Sequence, residues 1–146
     1  MEIVETYLKH KGTKRVSMDT ITSPEKGAKI FNQMFGDNTQ ECLGVICLDT
    51  KGRPTHYSTI YKGTSNQIVI SPKDVLRVAI LSNATSIILG HNHPSNDLTP
   101  SPHDLETTRN LCKAGLQLDI QVVDHLIINS IEDYYSIREN HPNEFK

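Results

Sequence analysis

Three segments of the chain carry apolar residues at near-helical spacing, and each begins with a serine followed by a proline. The pairs are Ser23-Pro24, Ser71-Pro72 and Ser101-Pro102. A serine can accept hydrogen bonds from the first-turn N–H groups, and a proline at the first helical position loses no donor that the helix needs. We therefore predict three helices that begin at these prolines, the third ending near Gly115.

An acidic residue stands three positions after two of these serines. Asp74 follows Ser71, and Asp104 follows Ser101. This is the spacing of a capping box, in which the two side chains satisfy each other's backbone N–H groups. We expect both helices to begin with one.

Short apolar runs typical of strands lie between the helices, at residues 43–48, 55–61, 86–89, 120–123 and 126–129. A turn at 49–52 separates the first two runs, and the polar pair Asp124-His125 interrupts the last two. Strands that alternate with helices predict an α/β or α+β fold, with a mixed β-sheet flanked by helices. The continuous apolar run 87–89 favours a sheet that is buried on both faces.

The length of 146 residues, with 36% hydrophobic and 22% charged residues, fits one globular domain. We assign a polar leader to residues 1–21, one domain to residues 22–139 and a tail to residues 140–146. The cysteines, at 42, 47 and 112, form no C-x-x-C pair. This spacing predicts small buried thiols rather than a disulfide framework or a zinc knuckle.

The net charge of −2 argues against strong sequence-independent binding of nucleic acid, although a local basic patch could still bind it. The sequence contains no apolar run long enough to cross a bilayer, and its first residues lack the apolar stretch of a signal peptide. We therefore expect a cytoplasmic protein without membrane contact. An exposed edge strand could pair two copies as a homodimer.

The candidate chemistry lies in residues 90–104, GHNHPSNDLTPSPHD. Residues two apart in extended backbone point to the same side, so His91 and His93 can present imidazoles to one point just beyond the strand's end. Asp104 stands in the first turn of the third helix, where the helix dipole favours its ionised form. Two imidazoles and one carboxylate leave a fourth tetrahedral position for water, which is the ligand count of a catalytic zinc site.

Simpler interpretations of these residues stay open. Ser101 and Asp104 could form a capping box and nothing more. Asp97 and His103 lie in the same stretch, although His103 should point elsewhere on the helix. The adjacent letters His-Asn-His do not indicate an HNH nuclease, whose residues are distributed over a ββα unit. Iron, cobalt or nickel could replace zinc with these ligands.

The spacing H-N-H-P, six residues, then S-x-x-D resembles the JAMM metalloprotease motif of JAB (MPN+) domains. The segment LGHNHPSNDLTPSPHD is similar to the version of this motif found in the bacterial RadC family. Further RadC-like segments are Leu48-Asp49, residues 61–64, Ser71-Pro72, Asp124-His125 and residues 134–139. The resemblance covers about residues 22 to 139.

This resemblance implies a JAB/MPN architecture, which is related to the cytidine-deaminase fold. It implies that His91, His93 and Asp104 are zinc ligands. It also implies that Ser101 stabilises the oxygen of a tetrahedral intermediate. The activity implied is zinc-dependent hydrolysis of a peptide or isopeptide bond, with a protein or peptide as substrate.

The family's general base is a glutamate at the beginning of an early strand, and Glu41 matches that position. It would take a proton from the attacking water and pass it to the leaving group. The residues alone do not distinguish Glu41 from Glu25 or Glu106, so the choice of Glu41 rests on the resemblance.

Two departures from the family pattern stand out. Asn96 occupies a position where RadC-like sequences usually have glycine, which predicts a left-handed backbone that asparagine tolerates. RadC proteins often carry an N-terminal helix-hairpin-helix region, and we expect this chain to lack it together with any DNA contact it provides.

Other functions compete with the hydrolase. One is a non-catalytic metal-binding interaction module, and another is a DNA-associated role, which only the family name suggests. A nucleobase deaminase requires H-x-E and P-C-x-x-C, and the sequence has neither. The sequence does not indicate the substrate. Loops such as residues 64–69 would shape a substrate groove, but their residues do not point to a particular substrate chemistry.

Overall fold

The computed structural model describes residues 1–16, 20–63 and 70–146. The loop at residues 64–69 and part of the predicted leader lie outside these ranges. The helices are α1 (Pro24–Phe35), α2 (Pro72–Leu81), α3 (Pro102–Gln117) and α4 (Ile137–Asn140), followed by a 3₁₀ turn at Pro142–Phe145. The strands are β1 (Glu41–Leu48), β2 (Pro54–Gly63), β3 (Ser86–Asn92), β4 (Gln121–Ile128) and β5 (Tyr134–Ser136).

The five strands form one mixed sheet in the order β2-β1-β3-β4-β5. β1 runs antiparallel to both β2 and β3, β5 runs antiparallel to β4, and β3 and β4 are parallel. A parallel pair needs a crossover connection, and α3 provides it between β3 and β4. The mixed sheet with flanking helices confirms the predicted α+β fold.

Both faces of the sheet are covered. Side chains alternate along a strand, so Ile87 and Leu89 pack on one face while Ile88 packs on the other. The first core includes Val75 of α2 and Leu111 of α3. The second core is built around α1. The prediction from the apolar run 87–89 is therefore confirmed.

The three predicted helices begin at the predicted prolines, but their caps differ. The capping box is present at α3, where Ser101 and Asp104 satisfy each other's N–H groups, as predicted. The capping box predicted for α2 is wrong, because the Ser71 side chain makes no cap hydrogen bond. Asp74 instead accepts a 2.9 Å hydrogen bond from Arg77 on the surface of the helix. The Ser23 side chain does not cap α1 either.

Two strand boundaries also differ from the prediction. β3 continues to Asn92, so His91 lies inside the strand rather than beyond it. Asp124 and His125 do not interrupt a strand, since β4 runs unbroken through both. Ile87 pairs with Val122 and Ile88 with Asp124, so the register shifts by one residue at this point. The irregularity accommodates the polar pair without ending the ladder.

The remaining predictions about the chain can be checked briefly. Residues 1–15 are exposed and form no helix or strand. The three cysteines are free thiols, with Cys42 and Cys47 buried and Cys112 half-buried. Across the residues that the structure describes, no helix is long and apolar enough to span a membrane.

Helix α1 lies directly against the strand that carries His91. The ring of Phe31 covers Gly90, and a Cβ atom added at Gly90 would come within 2.5 Å of two ring carbons. Phe31 itself is fully buried, so its ring has little room to move away. Glycine at position 90 therefore allows the close approach of α1 to β3.

We predict that Gly90→Ala lowers the free energy of unfolding by about 1 to 3 kcal/mol, the usual cost of overpacking a core. Urea unfolding followed by circular dichroism measures the effect. Gly12→Ala is the matched control, because a Cβ atom at Gly12 meets nothing within 4 Å. Equal stability of the two variants would contradict this account of Gly90.

Candidate metal centre

His91 and His93 present their rings to a common point at the end of β3. His91 is buried in the strand, and His93 follows the strand immediately. The N–H of His93 donates to the Ile128 carbonyl at 2.9 Å, which keeps the backbone extended beyond the strand. The period-two rule therefore still holds, and the two Nε2 atoms lie 2.9 Å apart.

Asp104 reaches the same point from the first turn of α3. Its Oδ1 lies 3.4 Å from His91 Nε2, and its Oδ2 lies 3.4 Å from His93 Nε2. Oδ2 also accepts a 2.8 Å hydrogen bond from the Ser101 N–H. Burial opposes ionisation of this carboxyl, but its contacts with the His91 and His93 rings and the hydrogen bond from the Ser101 N–H outweigh it and hold the pKa of Asp104 far below its usual range.

Glu41 joins the group from the first position of β1. One ligand atom from each of Glu41, His91, His93 and Asp104 lies within 4.8 Å of all the others. The antiparallel pairing of β1 with β3 brings Glu41 there, since Leu43 is the register partner of His91. The alternative Glu25 lies on α1 and pairs with Lys29 on the surface. Like Glu25, Glu106 is absent from the cluster.

Asn92 fixes the backbone around Glu41. Its Oδ1 accepts a 2.6 Å hydrogen bond from the Cys42 N–H. Its Nδ2 donates to the carbonyls of Asn38 at 3.2 Å and Gln40 at 3.0 Å. Asn92 is 1% exposed and stands between the two histidines, on the opposite side of the strand. The sequence pattern predicts no role for Asn92, although its place inside the H-N-H string is a signal.

The proton on His93 can be placed from its hydrogen bond to Asp97. Nδ1 of His93 lies 2.6 Å from the backbone carbonyl of Asp97. A carbonyl only accepts, so Nδ1 carries the proton and Nε2 faces the cluster. Burial disfavours a charge on this ring, but the nearby Asp104 carboxylate and the Asp97 carbonyl stabilise the charged form more and raise the pKa of His93.

His125 lies behind His91, and the sequence pattern predicts no role for it. Its Nε2 is 2.7 Å from His91 Nδ1, and its Nδ1 is 2.6 Å from the Thr108 hydroxyl. Burial, followed by repulsion from His91, lowers the pKa of His125 well below its usual value. The signal in the sequence was a polar pair inside an otherwise apolar run.

The other residues of the motif surround the cluster. His103 lines the same cleft but is not part of the four-residue cluster. Asp97 contributes its backbone carbonyl, while its side chain accepts from the Thr99 N–H at 3.0 Å. Asn96 has a φ of 66°, as predicted, and its Oδ1 accepts from the Ser130 N–H at 3.2 Å.

The distances from both imidazoles to Asp104 suit a zinc ion. Zinc–ligand bonds of about 2.0 to 2.2 Å place two ligands of a tetrahedral ion about 3.3 to 3.6 Å apart. Each imidazole lies 3.4 Å from an Asp104 oxygen, within that range, whereas the 2.9 Å between the imidazoles is shorter. Two imidazoles and a carboxylate are ligands that zinc commonly takes. This cluster could therefore hold a metal ion.

The cluster opens into a cleft of about 360 Å³. Leu43, Tyr61 and Ile70 line an apolar part of the cleft, and residues 93–101 contribute a largely polar part.

Comparison with known proteins agrees with this architecture. A family model described as the RadC-like JAB domain matches residues 21–142. The chain belongs to this family. The resemblance stated from the motif is thereby confirmed, and the candidate ligands lie inside the matched region.

Curated relatives cover most of the chain. A UPF0758 protein of Staphylococcus haemolyticus is 44% identical over 119 residues, which cover 82% of this chain and 52% of the relative. UPF0758 proteins of Roseiflexus castenholzii and Finegoldia magna are 43% and 42% identical, covering 82% and 86% of this chain and 51% and 56% of the relatives. The chain thus spans about half the length of the curated relatives it matches.

We predict that the purified chain binds one zinc ion per molecule. Alanine substitution of His91, His93 or Asp104 should abolish stoichiometric binding, because each change removes one ligand. Elemental analysis after dialysis measures the zinc content, and circular dichroism checks that each variant is folded.

His103→Ala is the control, since His103 lines the cleft outside the cluster. This variant should keep its zinc. Loss of zinc from His103→Ala, or full zinc content in folded His91→Ala, would contradict the ligand assignment.

Proposed function

We propose that this domain is a zinc-dependent hydrolase that cleaves a peptide or isopeptide bond. The observation that carries the proposal is the meeting of Glu41, His91, His93 and Asp104 in one cleft. A zinc ion bound there would act as a Lewis acid, lowering the pKa of a water molecule and polarising the substrate carbonyl. Membership of the RadC-like JAB family supports the same chemistry.

Glu41 is proposed as the general base. It lies close enough to the two histidines and Asp104 to reach a water molecule at their centre. Its carboxylate accepts a proton from that water and then transfers it to the nitrogen of the leaving amine. Because Asn92 holds the backbone on both sides of Glu41, the strand position from which the carboxylate extends is fixed before substrate binds.

Ser101 is proposed to stabilise the oxygen of the tetrahedral intermediate. Its Oγ accepts from the Asp104 N–H at 3.1 Å, which leaves the hydroxyl proton available to donate. Ser101 also lines the cleft, so this proton can reach a bound substrate. A donor aimed at developing negative charge stabilises the transition state more than the ground state.

We predict that Glu41→Gln binds zinc normally but loses cleavage by a factor of about 10² to 10⁴, the usual contribution of a general base. Cleavage of a peptide library by the zinc-loaded protein, followed by mass spectrometry, measures the activity. Glu106→Gln is the control, because Glu106 lies on the exposed surface of α3. Undiminished cleavage by zinc-loaded Glu41→Gln would refute the role of Glu41.

We predict that Ser101→Gly lowers the cleavage rate by a factor of about 10² to 10³, as expected when one oxyanion donor is removed. Glycine is a tolerated N-cap residue, so the unfolding free energy should fall by only a few tenths of a kcal/mol. Zinc content should remain normal. A variant that cleaves at the wild-type rate would leave Ser101 with a capping role only.

A further inference from the structure

A buried chain of hydrogen bonds runs from the backbone of Asp104 to the ring of His91. The Thr108 hydroxyl lies 2.8 Å from the Asp104 carbonyl and 2.6 Å from His125 Nδ1. His125 Nε2 lies 2.7 Å from His91 Nδ1. Thr108, His125 and His91 are 0%, 1% and 2% exposed, so water does not compete for these contacts.

The direction of each hydrogen bond follows from the Asp104 carbonyl, which is the first group in the chain. The Asp104 carbonyl can only accept, so the single hydroxyl proton of Thr108 is donated to it. The oxygen of Thr108 must then accept a proton from His125 Nδ1. A neutral imidazole has one donor and one acceptor nitrogen, so Nε2 of His125 accepts from His91 Nδ1. Full burial favours the neutral ring of His125.

The consequence reaches the candidate metal centre. With its proton on Nδ1, a neutral His91 has an unprotonated Nε2, which points at His93 and Asp104. The Asp97 carbonyl sets the same tautomer on His93. Two nitrogen lone pairs 2.9 Å apart repel each other unless a proton or a metal ion lies between them. The hydrogen-bond chain therefore favours a ring prepared to bind a metal ion.

We propose that His125 and Thr108 are positioning residues, which hold His91 in the tautomer and orientation that bind the metal. The inference rests on the metal centre of the proposed function. Since Thr108 is four residues after Asp104 on α3, the chain also joins two ligands to each other. Substitution of such hydrogen-bond partners of metal-binding histidines commonly lowers metal affinity by a factor of about 10 to 100.

Zinc affinity tests the proposal at Thr108. Thr108→Val removes the hydroxyl at almost constant volume, so His125 loses the acceptor that fixes its tautomer. We expect the zinc dissociation constant, measured by competition with a chelator, to rise by a factor of about 10 to 100. Thr108→Ser restores the hydroxyl and should bind zinc nearly as the wild type does.

Thr107→Val is the matched control on the same helix. Thr107 lines the cleft but is not part of the hydrogen-bond chain. Its loss should leave zinc affinity unchanged. Equal affinity of Thr108→Val and Thr107→Val would overturn the proposal, as would equal weakening by Thr108→Val and Thr108→Ser.

Nuclear magnetic resonance of the ¹⁵N-labelled histidines tests the tautomers directly. A purely structural role of His125 would not fix its tautomer. In the wild type, His125 should be neutral with its proton on Nδ1, both with and without zinc. Zinc-bound His91 should show the same tautomer. A proton on Nε2 of His125 would overturn the proposal.

The two measurements separate this inference from the proposed function. If the wild type binds no zinc, the hydrolase proposal fails, and the His125 tautomer in the metal-free chain still decides whether the hydrogen-bond chain exists as described. If zinc binds tightly and Thr108→Val leaves both affinity and tautomer unchanged, the metal centre stands and the positioning role is refuted.

Discussion

The parallel pairing of β3 with β4, with α3 crossing between them, is the constraint on which the candidate site depends. Parallel strands end at the same edge of a sheet, so the end of β3 lies beside β4 and carries His91 to that edge. The crossover helix begins near the same edge and brings Asp104 with it. Ligands of α/β proteins commonly bind at the carboxyl ends of parallel strands, and this cleft follows that rule.

In the part of the chain that the structure describes, hydrogen bonds compensate for the burial of polar side chains, including those near this edge of the sheet. No buried side-chain nitrogen or oxygen in those ranges lacks a hydrogen-bond partner. Asn92 satisfies backbone groups around Glu41, and His125 connects Thr108 to His91. A fully satisfied buried network holds its members in one arrangement, because any other arrangement leaves a polar group unpaired. The site is therefore organised by groups that do not themselves face the cleft.

The start of α3 shows how one residue can satisfy two requirements. Asp104 completes the capping box with Ser101 and also faces both imidazoles. The cap orients the carboxylate before any cation binds, and the positive end of the helix dipole favours its charge. Cap and metal ligand, which the sequence presented as alternative interpretations, are compatible in the structure.

Local sequence alone determined the helix starts, the two-residue spacing of His91 and His93, and the place of Asp104 at a helix start, because those features depend on neighbours a few positions away. The residues alone left three glutamates open and the family resemblance selected Glu41. The tertiary structure brought Glu41 to the cluster through the pairing of β1 with β3. It also decided the hydrogen bonds of Asn92 to Cys42, His125 to His91 and Thr108 to His125, which join residues 50, 34 and 17 positions apart. No short-range propensity encodes such contacts, since they exist only once strand register and helix packing are fixed.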